Sequence, residues 1–509
     1  MNAAGGHRGK RAAPRRRRSG GAEPTPRPEG TPRPDRPRGS VRGSVRGSAR
    51  RGPAVLLAVV LPLVTLGAGL LVTPDAPEPA PAAAPTATTL AEQTLVCPPP
   101  PTGAAAPVVV GRDAPDAPDA SAADRAVLLE GIGEDPVSET LEVPALGTVG
   151  PVVASDDAAA VRAEGDTAAG LLAGRFGDDA VNGTSCEPTA ADQWFTGLGA
   201  GPERSSVIEL VNPAAGDAVA DVTLLGPDGP LDVPDVAGVT VPAGERVSLD
   251  LGALTPTGDE LAARVQVVRG RVAASVLDTA TPIGGTDVAE WLPRQAEPAT
   301  TSLLPGLVGG EGQRTLVVAN PGDAATQVEV DVLTPTGAVR PTDVRTLQVP
   351  AGGVETVALS TQLQTQADQG AGGVLLRSEA PVTASLRGLV REDLTYAVPV
   401  APASSGAAVL PVGESRVLVT AEPDADSPTT ATVVGRDADG EEVISEDVEV
   451  VPGGLGEVTL PEDAASVAVS TDGEVSSAVV VLRGEGNVVL PLRPAVTEAL
   501  VAQVRPGLP

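Results

Sequence analysis

Aromatic residues are nearly absent from this chain of 509 residues, at 1% of the total. The chain also has one histidine, His7, and one lysine, Lys10, both close to its start. Residues 53–509 therefore offer no imidazole or amine for a general base, a catalytic triad or a Schiff base. A carboxylate pair for glycoside hydrolysis is the one common chemistry left open. We predict that the protein is not an enzyme and uses no cofactor.

Positive charge is scarce outside the first 52 residues. That segment holds fifteen of the 36 Lys and Arg but only three of the 66 Asp and Glu, so its net charge is +12 and that of the remainder is −42. The leader is rich in Arg, Gly, Pro and Ser, a composition typical of a disordered arm. It has no aromatic side chain to stack on bases, so no nucleic-acid partner is expected. Its charges would fix membrane topology or contact anionic lipid headgroups.

An apolar run without charges covers residues 53–73. It is just long enough to cross a bilayer as one helix, and the basic side would stay cytoplasmic. We therefore predict a single-pass cell-membrane protein with most of the chain extracellular. A signal peptide cleaved near Pro81–Pro85 is an alternative, but a 52-residue leader is long for one. A buried core helix is a second alternative, and Pro62 and the lack of a polar face argue against it.

The two cysteines, Cys97 and Cys186, both lie on the predicted exported side. Two lone cysteines in an oxidising compartment indicate one disulfide bond. Such a bond closes a loop of about ninety residues and stabilises the fold by about 4 kcal/mol in the chain-entropy model. Two free buried thiols are the alternative. No third cysteine or nearby histidine is present to complete a zinc site, and we predict no metal ligands.

The chain repeats itself with a period of about 105 residues. Val241 and Val349 begin matching V-P-A-G motifs 108 residues apart, the same spacing as between Asn212 and Asn320 in N-P motifs. A third copy follows 102 residues later, with Val451 after Val349. In it Glu422-Pro423 takes the N-P position, and Val143-Pro144-Ala145 begins the divergent first copy.

Each repeat contains short β-branched runs separated by turn motifs such as Pro227-Asp228-Gly229. About seven such strands in 100 residues indicate an all-β ectodomain of tandem immunoglobulin-like β-sandwiches arranged in a row. A propeller is the main rival, although its blades are usually shorter. The predicted divisions are a basic arm, a transmembrane helix, a Pro/Ala linker, four sandwich repeats and a tail: 1–52, 53–73, 74–90, 91–191, 192–296, 297–402, 403–495 and 496–509.

Two alternating runs around a turn recur near the end of every repeat and predict a β-hairpin. The matching segments are 161–174, 265–278, 374–388 and 467–481. In the first repeat the Ala-rich stretch 156–176 also allows a helix capped by Ser155. We favour the hairpin because Gly165 and Gly270 occupy matching positions.

Two acidic motifs resemble parts of calcium loops: Asp437-Ala438-Asp439-Gly440-Glu441, and Asp113, Asp116 and Asp119 at three-residue spacing. The first lacks the distal glutamate and the second contains prolines, so a solvated turn and a linker are the simpler interpretations.

The scarce aromatic residues lie near predicted repeat boundaries. Trp194, Phe195, Trp291 and Tyr396 could form a sugar-stacking platform or an interaction hot spot. A structural role in covering the end of a sandwich is favoured by their positions.

The order of these features resembles an uncharacterised actinobacterial family of membrane-anchored, β-rich extracytoplasmic proteins. The matching residues are Cys97-Pro98, Cys186, Trp194-Phe195-Thr196-Gly197, Asn212-Pro213 and Val241–Gly244. The resemblance implies a topology but no activity. We therefore predict a non-catalytic ectodomain that scaffolds or contacts cell-envelope proteins or glycans. The alternative is a module that binds carbohydrate or calcium.

Overall fold

A computed structural model describes most of the chain between residues 86 and 501, together with residue 60. The described residues are 60, 86–101, 106–113, 126–133, 138–142, 147–150, 157–177, 182–256, 260–281, 286–342, 344–484 and 486–501. Residues 82–509 form one compact unit, and the fold below is that of this unit alone. The other unit, 1–81, has Val60 as its one described residue.

No helix among the described residues is both long and apolar enough to cross a membrane. The prediction of a single-pass membrane protein is therefore wrong, and no function proposed below depends on such a helix. The segment 53–73, on which the prediction rested, lies outside the described residues apart from Val60, as do the arm 1–52 and most of the linker 74–90.

The prediction of an all-β chain is confirmed. Repeats 1 and 2, which here denote 91–191 and 192–296, follow strand β1 (Thr86–Thr89). Repeat 1 contains β2 (Glu92–Cys97), β3 (Val108–Arg112), β4 (Ala126–Ile132), β5 (Ser138–Glu142), β6 (Ala158–Glu164), β7 (Leu171–Phe176) and β8 (Gly183–Ser185). Repeat 2 contains β9 (Asp192–Gly199), β10 (Arg204–Val211), β11 (Ala218–Gly226), β12 (Gly229–Pro230), β13 (Val239–Val241), β14 (Arg246–Asp250), β15 (Glu260–Arg269), β16 (Ala273–Ala280) and β17 (Val288–Leu292).

Repeats 3 and 4, which denote 297–402 and 403–495, are built in the same way and are followed by β33 (Glu498–Val501). Repeat 3 contains β18 (Ala299–Pro305), β19 (Gly312–Ala319), β20 (Thr326–Thr334), β21 (Gly337–Val339), β22 (Leu347–Val349), β23 (Val354–Ala358), β24 (Gly373–Val390) and β25 (Asp393–Ala397). Repeat 4 contains β26 (Ala403–Val409), β27 (Glu414–Ala421), β28 (Thr429–Arg436), β29 (Glu442–Val450), β30 (Leu455–Leu460), β31 (Ser466–Arg483) and β32 (Gly486–Leu492). Short helices cover Gly165–Thr167, Pro234–Val236, Leu251–Leu254 and Ser360–Ala367.

The four repeats share one strand arrangement. In repeat 2, one sheet has the order β12-β11-β15-β9 and the other has the order β14-β10-β16-β17. The core lies between them and consists mainly of Val, Ala and Leu. β11 shows why these residues form strands: Ala218, Ala220, Val222 and Leu224 are buried and alternate with more exposed neighbours. Such period-two burial places one face of the strand against a core.

The predicted hairpins are wrong in every repeat. β15 and β16 follow one another in sequence but belong to opposite sheets, as do β6 and β7 in repeat 1. In repeats 3 and 4 the two runs fuse into β24 and β31, strands of 18 residues that pair in both sheets. The turn at Gly270 (φ 83°) and the short helix at Gly165 (φ 60°) therefore carry the chain between sheets. The helix considered for 156–176 does not form as a continuous element.

The N-P and V-P-A-G motifs that mark the repeats are joined by hydrogen bonds. The Asn212 side chain donates to the carbonyls of Val241 (3.0 Å) and Pro242 (3.1 Å), joining the N-P and V-P-A-G motifs. Asn320 makes the equivalent bonds to Val349 and Pro350. Both asparagines are fully buried, so these bonds satisfy groups that would otherwise be costly to bury. The conserved spacing within the chain thus reflects one tertiary contact made twice.

A disulfide bond joins Cys97 and Cys186, which have Cα atoms 4.4 Å apart and a sequence separation of 89. It connects the end of β2 with the residue after β8, and so ties together the two sheets of repeat 1.

Both sulfurs lie in the apolar core of this repeat.

The last strands of the four repeats meet in a cluster that we call the hub: β8, β17, β25 and β32. β8 contacts β17, β17 contacts β25, β25 contacts β32, and β32 contacts β8. The repeats are therefore arranged around the hub like the blades of a propeller. This corrects the predicted row of immunoglobulin-like sandwiches, because the last strands of the four repeats contact one another in a closed cycle.

Apolar contacts fill every boundary around the hub. Val96 and Ile132 of repeat 1 pack on Val211 and Ala273 of repeat 2. Further clusters join repeats 2 and 3 and repeats 3 and 4. Leu172 and Phe176 of repeat 1 complete the core of repeat 4, which closes the ring. Strands β1 and β33, close to the two ends of the described chain, also pair.

Candidate functional site

A cleft of about 630 Å³ lies between repeats 2 and 3. One wall is the turn 199–204 that joins β9 to β10. The other is the outer face of the repeat 3 sheet, where Thr315 of β19 pairs with Arg387 of β24 and Gln313 pairs with Leu389. The lining thus combines backbone groups, two arginines, two glutamates and short polar side chains with two leucines.

Arg204 forms the base of the cleft wall. Its Nε lies 2.8 Å from Asp278 Oδ2, and its two terminal nitrogens donate to Glu260 and to the carbonyl of Gly197. Asp278 is fully buried and also accepts from the hydroxyls of Ser206 and Tyr396. Burial by itself would lower the pKa of Arg204, but the carboxylates of Asp278 and Glu260 outweigh it and raise the pKa. Arg204 is a fixed cation.

Tyr396 crosses from repeat 3 into the core of repeat 2, where its side chain is 1% exposed. Burial, together with the charge of Asp278, raises the pKa of the Tyr396 phenol well above its ordinary value. The phenol therefore stays protonated and donates to the carboxylate. Because this bond joins two repeats, it also fixes the width of the cleft.

Glu260 lies between two arginines. Arg387 Nη1 approaches its carboxylate oxygens at 2.7 and 2.9 Å from one side, and Arg204 binds it from the other. Burial raises the pKa of Glu260, and the charge of Arg204 lowers it by less. The side chains of Arg387 and Glu260 are 16% and 21% exposed, so both still reach the cleft.

A β-bulge explains why the chain can build this wall. Across from β9 the register of β15 shifts between Leu261 and Ala262, which leaves Gly197 without a direct partner. Gly197 has a φ of 95°, a conformation that favours glycine. Its carbonyl is thereby free to accept from Arg204. A side chain at Gly197 would also collide with Ser385 of repeat 3.

The scarce aromatic residues do not line the cleft. Trp194 is 5% exposed and packs between repeats 2 and 3, with the Arg264 guanidinium 5.1 Å from its ring centre. Phe195 is in the core of repeat 2, and Trp291 is buried where repeats 1 and 2 meet. Their structural interpretation as packing groups at boundaries is confirmed.

The two acidic motifs considered for calcium are arranged differently from a binding loop. Asp437 Oδ1 accepts from the backbone N–H groups of Asp439 and Glu441 and thereby closes its own turn. That turn docks on repeat 1, where Val149 N donates to Ala438 O at 3.1 Å. Asp113 is 6% exposed and lies 3.8 Å from Arg436, while Asp116 and Asp119 fall outside the described residues. Across the described ranges, no three or more His, Cys, Asp and Glu side chains are grouped to hold a metal ion.

Arg204, Glu260, Asp278 and Arg387 were not predicted as site residues. The sequence offered one signal, which was a charged residue at a strand position that is apolar in another repeat. Arg387 of repeat 3 occupies the position of Leu277 in repeat 2, because both pair with the same position of the second strand of their repeat. An isolated strand charge normally faces solvent, so this signal alone would not have identified a cleft.

A family model described as "Family of unknown function (DUF5719)" matches residues 147–461, more than half of the chain. The chain belongs to this family. The predicted resemblance to an uncharacterised family is confirmed. The DUF5719 match spans repeats 2 and 3 completely and includes every member of the Arg204 network, whereas Cys97 and Asn487 lie outside it. No curated protein matches the chain.

Proposed function

We propose that this protein is a non-enzymatic binding protein of an exported compartment, and that the cleft between repeats 2 and 3 takes a neutral carbohydrate. The observation that carries the proposal is the rigid polar wall around Arg204, Glu260 and Arg387 beside a cleft of about 630 Å³. Sites for small molecules commonly measure about 300–1,000 Å³ and have a few precisely held polar groups.

The remaining hydrogen-bonding groups decide the ligand class. Arg204 donates hydrogen bonds to Asp278, Glu260 and Gly197, whereas the side chains of Thr315 and Gln313 make no such bonds within this wall. A ligand with several hydroxyl groups fits such a mixture of donors and acceptors. An anionic sugar fits less well, because residues 53–509 carry a net charge of −42 and would repel it.

Two further observations support the rest of the proposal. A disulfide bond is typical of proteins in oxidising, exported compartments. The scarcity of common catalytic groups supports a non-catalytic role, since the one histidine and the one lysine both precede residue 53 and both cysteines are bonded. The predicted scaffold role relied on an extended row of repeats, and closure of the ring removes that support.

We expect the purified full-length protein to bind neutral sugars saturably. An oligosaccharide array would identify the preferred sugar, and isothermal titration calorimetry would measure its affinity, with glucuronic acid as the charged comparison. Thr315→Val keeps the shape of the side chain but removes its hydroxyl, so the affinity should fall about tenfold, as for the loss of one well-formed hydrogen bond.

Gln348→Ala is the matched control, because Gln348 lies on β22 and does not line the cleft. The proposal fails if no neutral sugar binds, if Thr315→Val and Gln348→Ala bind alike, or if the bound sugar is hydrolysed.

A further inference from the structure

One end of the hub collects polar side chains from all four repeats. We call this set the acidic end: Asn182 of repeat 1, Glu290 of repeat 2, Asp393 of repeat 3 and Asn487 of repeat 4. Each stands in, or directly before, the last strand of its repeat. They are separated from one another by about a repeat in sequence and are brought together only by closure of the ring.

Glu290 is the more deeply buried of the two carboxylates, with 3% exposure. Its Oε1 accepts from Gly183 N of repeat 1 at 3.1 Å and from Trp291 N at 2.7 Å. Its Oε2 is buried and has no hydrogen-bond partner. Burial of a carboxylate oxygen without a partner is unfavourable unless something else binds it.

Asp393 of repeat 3 and Asn487 of repeat 4 are the next two members of the acidic end. Asn487 N donates to Asp393 Oδ2 at 2.6 Å, so the two residues are in direct contact. The Asn487 side chain is fully buried, and neither its Oδ1 nor its Nδ2 has a partner. Asn182 adds a second amide oxygen that is buried and unpartnered. Native proteins rarely leave so many buried polar atoms unsatisfied at one place.

We propose that the acidic end of the hub binds one Ca²⁺ ion, with Glu290 and Asp393 as carboxylate ligands and Asn182 and Asn487 as amide-oxygen ligands. Calcium takes six to eight oxygen ligands and accepts amide carbonyls together with carboxylates, whereas Mg²⁺ demands a stricter geometry. Two carboxylates balance the charge of one divalent ion. Half of the proposed ligands are asparagines, so the site is not a cluster of Asp, Glu, Cys and His side chains alone.

The electrostatics of the isolated protein agree with this assignment. Burial, and then the charge of Asp393, raises the pKa of Glu290 well above its ordinary value. Burial also raises the pKa of Asp393 to about 6, although two backbone N–H groups oppose the change. Burial thus disfavours the charged form of both carboxylates, and either a proton or a bound cation would offset this cost.

The site has a structural consequence, because its four ligands come from four repeats. A bound ion would link the repeats at the point where the ring closes and would stabilise the closed ring. This role is independent of the cleft, since Arg204, Glu260 and Arg387 are not among the ligands.

The test uses the full-length protein after treatment with EDTA and removal of the chelator. Terbium, which replaces calcium, should show luminescence excited through Trp291, the neighbour of Glu290. CaCl₂ should displace the terbium and raise the Tm. We expect Glu290→Gln to weaken Tb³⁺ and Ca²⁺ binding at least tenfold and to abolish the Tm increase, while the circular dichroism spectrum stays that of a β protein.

Asn487→Asp keeps the side-chain size and adds a third carboxylate, so it should bind Ca²⁺ about tenfold more tightly. Asp437→Asn is the matched control, because it alters the other candidate calcium loop and should leave both readouts unchanged. The proposal is overturned if Ca²⁺ changes neither readout, if Glu290→Gln behaves like the native protein, or if Asp437→Asn removes binding. It is also overturned if Glu290→Gln has a higher Tm than the native protein and the same Tm with and without Ca²⁺. That result would indicate that Glu290 is protonated in the native protein and does not bind a metal ion.

Discussion

Replacement of Asp278 by alanine is expected to destabilise the protein by about 3–5 kcal/mol, the cost of leaving one partner of a buried ion pair alone. Asp278 is fully buried, and the Arg204 side chain beside it is only 12% exposed. The variant leaves this guanidinium without its 2.8 Å partner and removes the acceptor for Ser206 and Tyr396. Thermal unfolding of the full-length protein, followed by circular dichroism, should show a clearly lower Tm.

Glu457→Ala is the appropriate comparison for Asp278→Ala. Glu457 pairs with Arg416 at 3.5 Å, and both side chains are substantially exposed. Exposed pairs of this kind contribute about 0–1 kcal/mol, so the Tm should hardly change. Equal Tm values for the two variants would show that the Arg204 network does not hold repeats 2 and 3 together.

Loss of the disulfide bond should have an effect of similar size. A bond between residues 89 apart in sequence stabilises the folded state by about 4 kcal/mol in the chain-entropy model. The double variant Cys97→Ala, Cys186→Ala should therefore have a lower Tm. Limited proteolysis should cut repeat 1 first, because its two sheets lose the covalent connection between β2 and the end of β8.

Reduction provides the control for this experiment. Dithiothreitol should lower the Tm of the native protein and leave that of the double variant unchanged. Mass spectrometry of a non-reduced digest should recover Cys97 and Cys186 in one linked pair of peptides. Two thiols that react with an alkylating reagent in the native protein would contradict the assignment.

The repeat itself could be predicted because it depends on local patterns. Asn212 and Asn320 recur in register with the V-P-A-G motifs for a reason that the structure makes plain: the asparagine side chain bonds to the carbonyls of that motif. The alternation of small apolar residues likewise predicted strands. Both features depend only on residues within one repeat and not on its contacts with neighbouring repeats.

The path of the chain from β15 to β16 could not be predicted in the same way. A glycine between two alternating runs is equally compatible with a hairpin and with a strand that changes sheets, and Gly270 does the second. The closed ring was also hidden, since nothing local to Leu172 or Phe176 indicates that they complete the core of repeat 4.

The candidate site was out of reach for a related reason. Glu260 and Arg387 are 127 residues apart and meet only when repeats 2 and 3 pack together. The aromatic residues offered a more conspicuous signal, but in a chain with so few of them they fill the boundaries between repeats. Short polar residues on a sheet face gave no comparable pattern.

The entry of Leu172 and Phe176 into the core of repeat 4 has a consequence for biosynthesis. The chain emerges from its N-terminus, so those side chains of repeat 1 are covered only after three further repeats have been synthesised. During this interval a nascent chain presents apolar surface that a chaperone can bind. Once the last repeat has docked, each of the four described repeats has a neighbour on both sides, unlike the end repeats from which linear arrays begin to unfold. We therefore expect slow maturation followed by slow unfolding.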